Sequence, residues 1–567
     1  MMDFGALCSA LEAEGLTRVF GVPGTQTLGF FDAIRRSNLE FTLASHELGA
    51  AFMANGYFRA SGKPAVVATI GGPGFTNALT GIAEARLDSV ALLHVVSAPA
   101  TAPGERYQLQ AIDQPAIAAP LVKACYDTGP GDDLRDMVAS AVACALGGEP
   151  GPVLIQYGNE DSARPGSSDC LRTDGSALLP EQRLLDDLRD RWTRAVRPVF
   201  LVGQGAASEA ARLGRIVESA RIPVVTTPSA RGIIPEDHPL SMGFDVLRGG
   251  VDTLNELLER SDLIVALGCK LGHNGSAGFN LNLPPDRLVR VDTSRAVLEV
   301  NYPAALSLEA EAGAVLAFIE EASDPSRRSD WSEDELALVR KRLRTLPPSV
   351  PDPVVSGPTV KNASEFFGWL RDVLPRDAIL VTDSGLHQVL ARRYYEVLAE
   401  KGLSLPSDFQ SMGFGIPAGI GARLAAPRRP VAALVGDGGL LMSGMEITTA
   451  VRDRVSLLVI VFNDGHLNQI RLQQLADSGQ SFGVDLPSLD IHRFADAIGA
   501  RYVLFDEIAD TGIGPGTLEG DGPTILEVRI GDSWAMRSRA AGAKLKDAAR
   551  SVRDAATASK SRRRREE

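Results

Sequence analysis

Apolar and polar positions alternate between two periods along the chain. Short apolar runs at 18–22, 41–44, 65–70, 91–97 and 151–157 read as strands. Between them, residues 4–14, 28–35, 49–60 and 77–85 carry apolar positions near helical spacing. The rhythm returns with runs at 198–205, 222–227, 263–268 and 288–292. It returns again at 378–382, 431–435, 457–462 and 523–530, with helices expected from His387 and at 444–453 and 467–476. Strands that alternate with helices predict parallel α/β sheets. The stretch 162–175, rich in Ser, Gly, Pro and Asp, reads as a linker. The stretch 323–353, charged and then proline-rich, reads as a second linker holding one helix, 334–344. The expected division is therefore 1–165, 185–345 and 358–535, followed by 536–567, a basic, disordered tail that ends SKSRRRREE.

Composition narrows the picture. The chain has 567 residues, too many for one core. Hydrophobic residues make up 44% and charged ones 23%, as in an ordinary globular protein. The net charge of −13 argues against nucleic acid and anionic membranes as partners. No apolar run reaches the roughly 18 residues of a membrane span. The start, MMDFGALCSALEAEG, lacks the basic and apolar regions of a signal peptide. Cys8, Cys125, Cys144, Cys170 and Cys269 form no CxxC pair and read as core residues in a reducing compartment. A cytoplasmic location is the expectation.

The candidate chemistry centres on residues 436–466. One apolar run stops at Gly436-Asp437-Gly438-Gly439 and the next at Asn463-Asp464-Gly465. A strand–helix–strand unit with a right-handed crossover makes these strands parallel. Ligands bind beyond the carboxyl ends of such strands. Asp437 and Asp464 stand at those ends, where one hard cation can take oxygen from both. Gly436, Gly438 and Gly439 predict a tight turn that lets backbone approach a phosphate. Alone, either piece is also an ordinary turn; together, ending consecutive strands, they read as a site. Glu47 falls where an extended segment enters a helix of small residues. It reads either as a carboxylate of raised pKa in an apolar pocket or as a first-turn glutamate favoured by the helix dipole. His387 opens a helix after Asp383-Ser384-Gly385, a natural phosphate position, and reads equally as core. Gly203-Gln204-Gly205 is too short for a dinucleotide fingerprint and reads as a structural turn.

The Gly-Asp-Gly segment closed by Asn463-Asp464 resembles the thiamine diphosphate motif. The resemblance extends to His46-Glu47, Gly56-Tyr57, Arg59, Gly62, Gly72-Pro73-Gly74, Asn77 and Asp88-Ser89, and covers roughly residues 3–535. It implies a thiamine diphosphate-dependent enzyme, acetolactate synthase-like. The implied fold is α/β, three doubly wound parallel-sheet domains: pyrimidine-binding, central and diphosphate-binding. In such enzymes the glutamate at Glu47 bonds the aminopyrimidine and drives the tautomer that deprotonates the thiazolium C2. The resemblance places an active-site glutamine on Gln110 and a cofactor-bending residue on Met412. It places cofactor contacts on Pro23, Gly24, Gly385, His387, Gly436, Asp437, Gly438 and Gly439. It implies Mg²⁺ on the side chains of Asp437 and Asp464 and the carbonyl of His466. The implied reaction decarboxylates a pyruvate-like 2-oxo acid and ligates the product to a second carbonyl. The runners-up are a simple 2-oxo acid decarboxylase and a lyase acting on an acyl-CoA. FAD or ADP in the central domain stays open. The implied assembly is a homodimer or homotetramer with sites between subunits. The chain departs from the pattern at Asp464 (more often asparagine), at Leu109 (often phenylalanine), at Asn159 (often lysine) and at Gln473 (a tryptophan in the biosynthetic enzymes), the last two on the substrate side.

Overall fold

The computed structural model describes residues 3–98, 109–128, 131–158, 180–243, 250–324, 326–345, 352–357, 360–507 and 520–531. Asn159, the linker 162–175 and the tail 536–567 lie outside them. The chain forms three parallel α/β sheets. The first contains β1 (Arg18–Gly21), β2 (Glu40–Leu43), β3 (Val66–Thr69), β4 (Leu92–Ser97), β5 (Cys125–Thr128) and β6 (Pro152–Tyr157). The second contains β7 (Pro198–Val202), β8 (Val224–Thr226), β9 (Leu263–Leu267), β10 (Leu288–Asp292) and β11 (Leu306–Glu309). The third contains β12 (Val354–Val355), β13 (Ile379–Thr382), β14 (Leu403–Ser404), β15 (Val431–Gly436), β16 (Leu458–Asn463), β17 (Arg501–Leu504) and β18 (Thr524–Gly531). Among the strands of the described residues, only the edge pair β12–β18 runs antiparallel. The central strands β3, β4, β6, β7 and β9 are buried along their whole length. Helices cover both faces, so these strands read as unbroken apolar runs.

The three sheets repeat one strand order. It is β2-β1-β3-β4-β6 in the first, β8-β7-β9-β10-β11 in the second and β14-β13-β15-β16-β18 in the third. In each, the winding reverses beside the sheet's first full strand, and a crevice opens there at the carboxyl ends. In the first sheet that point lies between Gly21 and Thr69. In the third it lies between Thr382 and Gly436.

Seven helices matter for the site. They are α1 (Glu47–Ser61), α2 (Pro73–Leu87), α3 (Leu386–Tyr394), α4 (Gly415–Ala425), α5 (Asp437–Ser443), α6 (Ile447–Arg452) and α7 (Asn468–Asp477). Helices α1 and α4 cross at backbone distance and join the first sheet's domain to the third's. A Cβ on Gly56 would fall 1.9 Å from the Ala418 carbonyl oxygen, and one on Gly421 1.9 Å from that of Met53. Only glycine fits at either position.

Three expectations need correction. The crossover between β15 and β16 does not begin at Gly444. Its helix starts at Asp437, tightens to a 3-10 turn at Gly444–Glu446 and resumes as α6. Gly436 is extended at φ −86°, and neither Gly438 nor Gly439 has positive φ, so no left-handed turn is used. These glycines serve close packing instead. Strands β5 and β11 were not expected because CYDT and LSLE carry too few apolar residues to stand out. Cys144 is disulfide-bonded, whereas Cys8, Cys125 and Cys269 are free. The cysteines therefore give no argument for a reducing compartment. Among the described residues no helix is long and apolar enough to cross a membrane.

Candidate active site

The crevice of the third sheet gathers the expected diphosphate and metal residues. Strands β15 and β16 pair in parallel up to Gly436 and Phe462, so Asp437 and Asp464 leave adjacent strand ends. The Asp437 carboxylate ties the ends together. It accepts the N–H of Gly438 at 2.9 Å and of Gly465 at 2.6 Å. Asp464 accepts the N–H of His466 at 3.1 Å and the Asn468 amide, on α7, at 2.9 Å. The His466 ring donates from Nδ1 to the Asp464 carbonyl at 2.5 Å. Burial raises the proton affinity of both carboxyls, and the Asp437 charge helps push Asp464 up to about 6. A buried and a half-buried carboxylate that resist sharing negative charge are a place where a cation is favourable. Among the described residues no group of three or more His, Cys, Asp or Glu side chains is arranged as a metal site. An ion here would complete its shell from main chain, phosphate and water, as Mg²⁺ usually does.

His387 stands on the opposite lip. Its ring is buried, and a Cβ on Gly436 would come 3.1 Å from its Nδ1. Burial pushes its pKa down to about 4, so the ring is neutral. Its Nε2 is buried without a partner, which is costly unless a ligand satisfies it. Gly385, at φ +146°, gives the ring room: a Cβ there would meet it at 2.7 Å. Met412 is half-buried, its Cε 3.4 Å from where a Gly438 Cβ would be.

Sequence reasoning missed Asp383 at the end of β13. It is fully buried and accepts N–H groups from Ser384 at 2.8 Å, Gly413 at 3.0 Å and Phe414 at 3.2 Å. A Cβ on Gly439 would lie 2.3 Å from its Oδ2. One carboxylate thus fastens the loop before His387, the loop after Met412 and the first turn of α5. Burial pushes its pKa up to about 7. The sequence shows it only as one more Asp in a turn.

The first sheet's crevice gathers a second group. Glu47, half-buried at the first position of α1, accepts the Asn77 amide of α2 at 3.0 Å. Gln110, at φ +62°, packs on Gly72, whose Cβ would meet its own at 2.7 Å. Its Oε1 accepts the Gln26 amide at 2.8 Å. Gly24, after Pro23, packs on Ile70, where a Cβ would fall 2.3 Å from Cγ2. Within one chain Glu47 is held by an amide rather than enclosed in an apolar pocket. None of the contacts described here joins the Glu47 and Gln110 group to the Asp437 and His387 group. Leu109 is 82% exposed and Gln473, on α7, is exposed.

A cleft of about 480 Å³ opens at the carboxyl ends of β7, β9 and β10, among all three domains. Gly203, Gly205, Lys270 and Asp292 line it. The Gly203-Gln204-Gly205 turn packs on Gly268. The N–H of Gly203 goes to Leu267, that of Gly205 to Gly268 and that of Ala206 back to Gly203. The amides of Gly203, Gly205 and Ala206 are thus used internally, in line with a structural turn.

Sheet order, crevice position and residue content together define a cofactor enzyme built from repeated α/β domains. Three family models match in register: the thiamine pyrophosphate enzyme N-terminal domain at 4–117, central domain at 185–319 and C-terminal domain at 383–528. The chain belongs to the thiamine pyrophosphate enzyme family. Within it the chain is acetolactate synthase-like. It is 30% identical over 475 residues to the acetolactate synthase isozyme 1 large subunit of Escherichia coli, with 82% of each chain covered. It is 29% identical over 540 residues to the acetolactate synthase large subunit of Lactococcus lactis, covering 92% of this chain and 91% of that one. It is also 31% identical over 490 residues to a probable 2-ketoarginine decarboxylase of Pseudomonas aeruginosa, covering 84% and 85%.

Proposed function

We propose that the chain removes CO₂ from a 2-oxo acid with thiamine diphosphate and Mg²⁺ and adds the remaining unit to a second carbonyl compound. The observation that carries this is the Asp437–Asp464 pair at adjoining strand ends, facing the unpaired Nε2 of His387 across one crevice. The donor set fits a diphosphate bridged by a hard cation. Bound there, thiamine diphosphate supplies a carbon nucleophile and a sink for the electrons left when CO₂ departs. In this reading Asp437, Asp464 and the His466 carbonyl hold Mg²⁺. The unpaired Nε2 of His387 would meet the diphosphate, beside Gly385. Gly436, Gly438 and Gly439 let the diphosphate approach the start of α5, whose N-terminus favours negative charge. Met412 bends the cofactor. Glu47 holds and moves the proton that activates it, Pro23 and Gly24 line the pyrimidine side, and Gln110 orients the substrate.

In this reading one centre takes Glu47 from one chain and the metal loop from a second, as the family resemblance implies. A dimer is then the smallest active unit. Leu441, Met442 and Met445 are 44%, 61% and 57% exposed just beyond the metal loop. That apolar surface suits cover by a partner. In the central cleft the amides nearest the turn are used internally. We therefore read it as a domain junction and expect purified protein with no visible flavin absorbance. A flavin spectrum would instead assign the cleft to FAD.

The similarity to a 2-ketoarginine decarboxylase supports a second reading, simple decarboxylation. The test is CO₂ release from a panel of 2-oxo acids, beginning with pyruvate, with the reconstituted protein and with Glu47→Gln. Release that falls by about a hundredfold or more in the variant supports the reading. A ligated product decides for carboligation, a plain aldehyde for decarboxylation. No release from any acid by cofactor-loaded protein rejects both.

A further inference from the structure

Glu446 lies in the 3-10 turn that continues α5, the helix that starts at Asp437. Its carboxylate does not face that crevice. It reaches into the other domain and accepts the N–H of Ser45 and of His46, each at 3.0 Å. These are the two residues before Glu47. Thr449 Oγ1 lies 3.3 Å from the same carboxylate. The Ser45 hydroxyl adds a bond to the Met445 carbonyl at 3.0 Å. The fit is close: a Cβ on Gly49 would fall 1.9 Å from Glu446 Oε1. Glu446 is buried, 3% exposed, and burial raises its pKa.

The arrangement has a mirror image. Glu84 sits on α2, the helix that follows β3, and Glu446 follows β15, which holds the same place in the strand order of its sheet. Its carboxylate accepts the N–H of Ser411 at 3.1 Å, directly before Met412. Each domain thus lends a buried carboxylate to the segment that carries the other domain's cofactor residue. A surface contact made for stability alone has no reason to choose those two segments.

We infer that Glu446 is a positioning residue for Glu47. It fixes the peptide leading into α1, so that the Glu47 carboxylate meets the aminopyrimidine in one orientation. The inference rests on the proposed role of Glu47 and deepens it. Glu446→Gln keeps the shape but replaces one acceptor oxygen with a donor aimed at a backbone N–H. The readout is deuterium exchange at C2 of bound thiamine diphosphate, by acid quench and NMR, with cofactor affinity and thermal unfolding measured alongside. The expected result is exchange slowed by about tenfold or more, with affinity within about twofold, as for the loss of one charge-assisted hydrogen bond at a distance from the diphosphate. The drop appears in kcat, with KM for the 2-oxo acid unchanged. Glu446→Asp keeps the charge and withdraws the oxygens. It shows the same drop and serves if the glutamine variant does not fold. Wild-type exchange in a folded variant overturns the inference, as does exchange that falls only in step with cofactor affinity. Glu47→Gln is the control. If it too exchanges at the wild-type rate, the role given to Glu47 fails; if it alone is slow, only the role given to Glu446 falls.

Discussion

At the scale of single residues, Asp383 packs closely against Gly439. Alanine is the better helix former by about 1 kcal/mol. At position 439 its Cβ would press on Asp383 Oδ2 at 2.3 Å, and overpacking of that kind costs about 1–3 kcal/mol. Gly439→Ala is therefore expected to lose stability in urea unfolding and to weaken cofactor binding. Asp383 also has a pH signature. Its pKa rises from 3.8 in the ordinary carboxyl to about 7 in the fold. The folded protein holds that proton more tightly than the unfolded chain does. The stability gained is full below the ordinary value and is lost as pH climbs through about 7. Asp383→Asn, which cannot ionise, removes this fall, worth up to about 1.4 kcal/mol per pH unit for one proton. Urea unfolding between pH 4 and 7 reads it: the variant's stability should vary less with pH than the parent's. An unchanged slope would mean that Asp383 stays ionised when buried.

At the scale of elements, the crossing of α1 on α4 holds two domains in one arrangement. Gly421→Ala drives a methyl into the Met53 carbonyl at 1.9 Å. The backbones must part, at a cost of about 1–3 kcal/mol. The expected sign in calorimetry is a lower unfolding temperature with the transition split in two. A single unshifted transition would show that the crossing is soft. The long apolar strands were legible because strands buried on both faces must be apolar throughout. Thr524–Gly531 and Leu288–Asp292 lie almost where their patterns put them. Strands β5 and β11 were not legible, since an edge strand shares its burial with solvent and keeps polar residues. The start of α5 was hidden for another reason. Gly438 and Gly439 speak locally for a turn, and only tertiary neighbours (Leu467, Met412 and Asp383) make them helical. The expected cofactor residues of the third sheet could be picked out because they sit in short local motifs. Asp383, Glu446 and Glu84 could not, because each acts on a segment distant in sequence.

At the scale of the whole molecule, the proposed sharing of Glu47 and Asp437 between two chains makes a prediction that a one-chain site does not. Chains carrying Glu47→Gln are inactive, and so are chains carrying Asp437→Ala. Unfolded together and refolded as a mixture, they form mixed dimers in which one centre has both residues intact. Random pairing should restore about a quarter of wild-type CO₂ release. No recovery, with mixed dimers shown to form, would place each centre within one chain. The crossed layout proposed here would also govern what a faulty copy does to a sound one. A chain defective at Glu47 alone spoils one of the two centres it shares with a normal chain. A chain defective at both Glu47 and Asp437 spoils both and leaves its sound partner idle. In a cell expressing two alleles, the first defect would be inherited as a partial loss and the second as a dominant one, although the second chain differs from the first by a single further substitution.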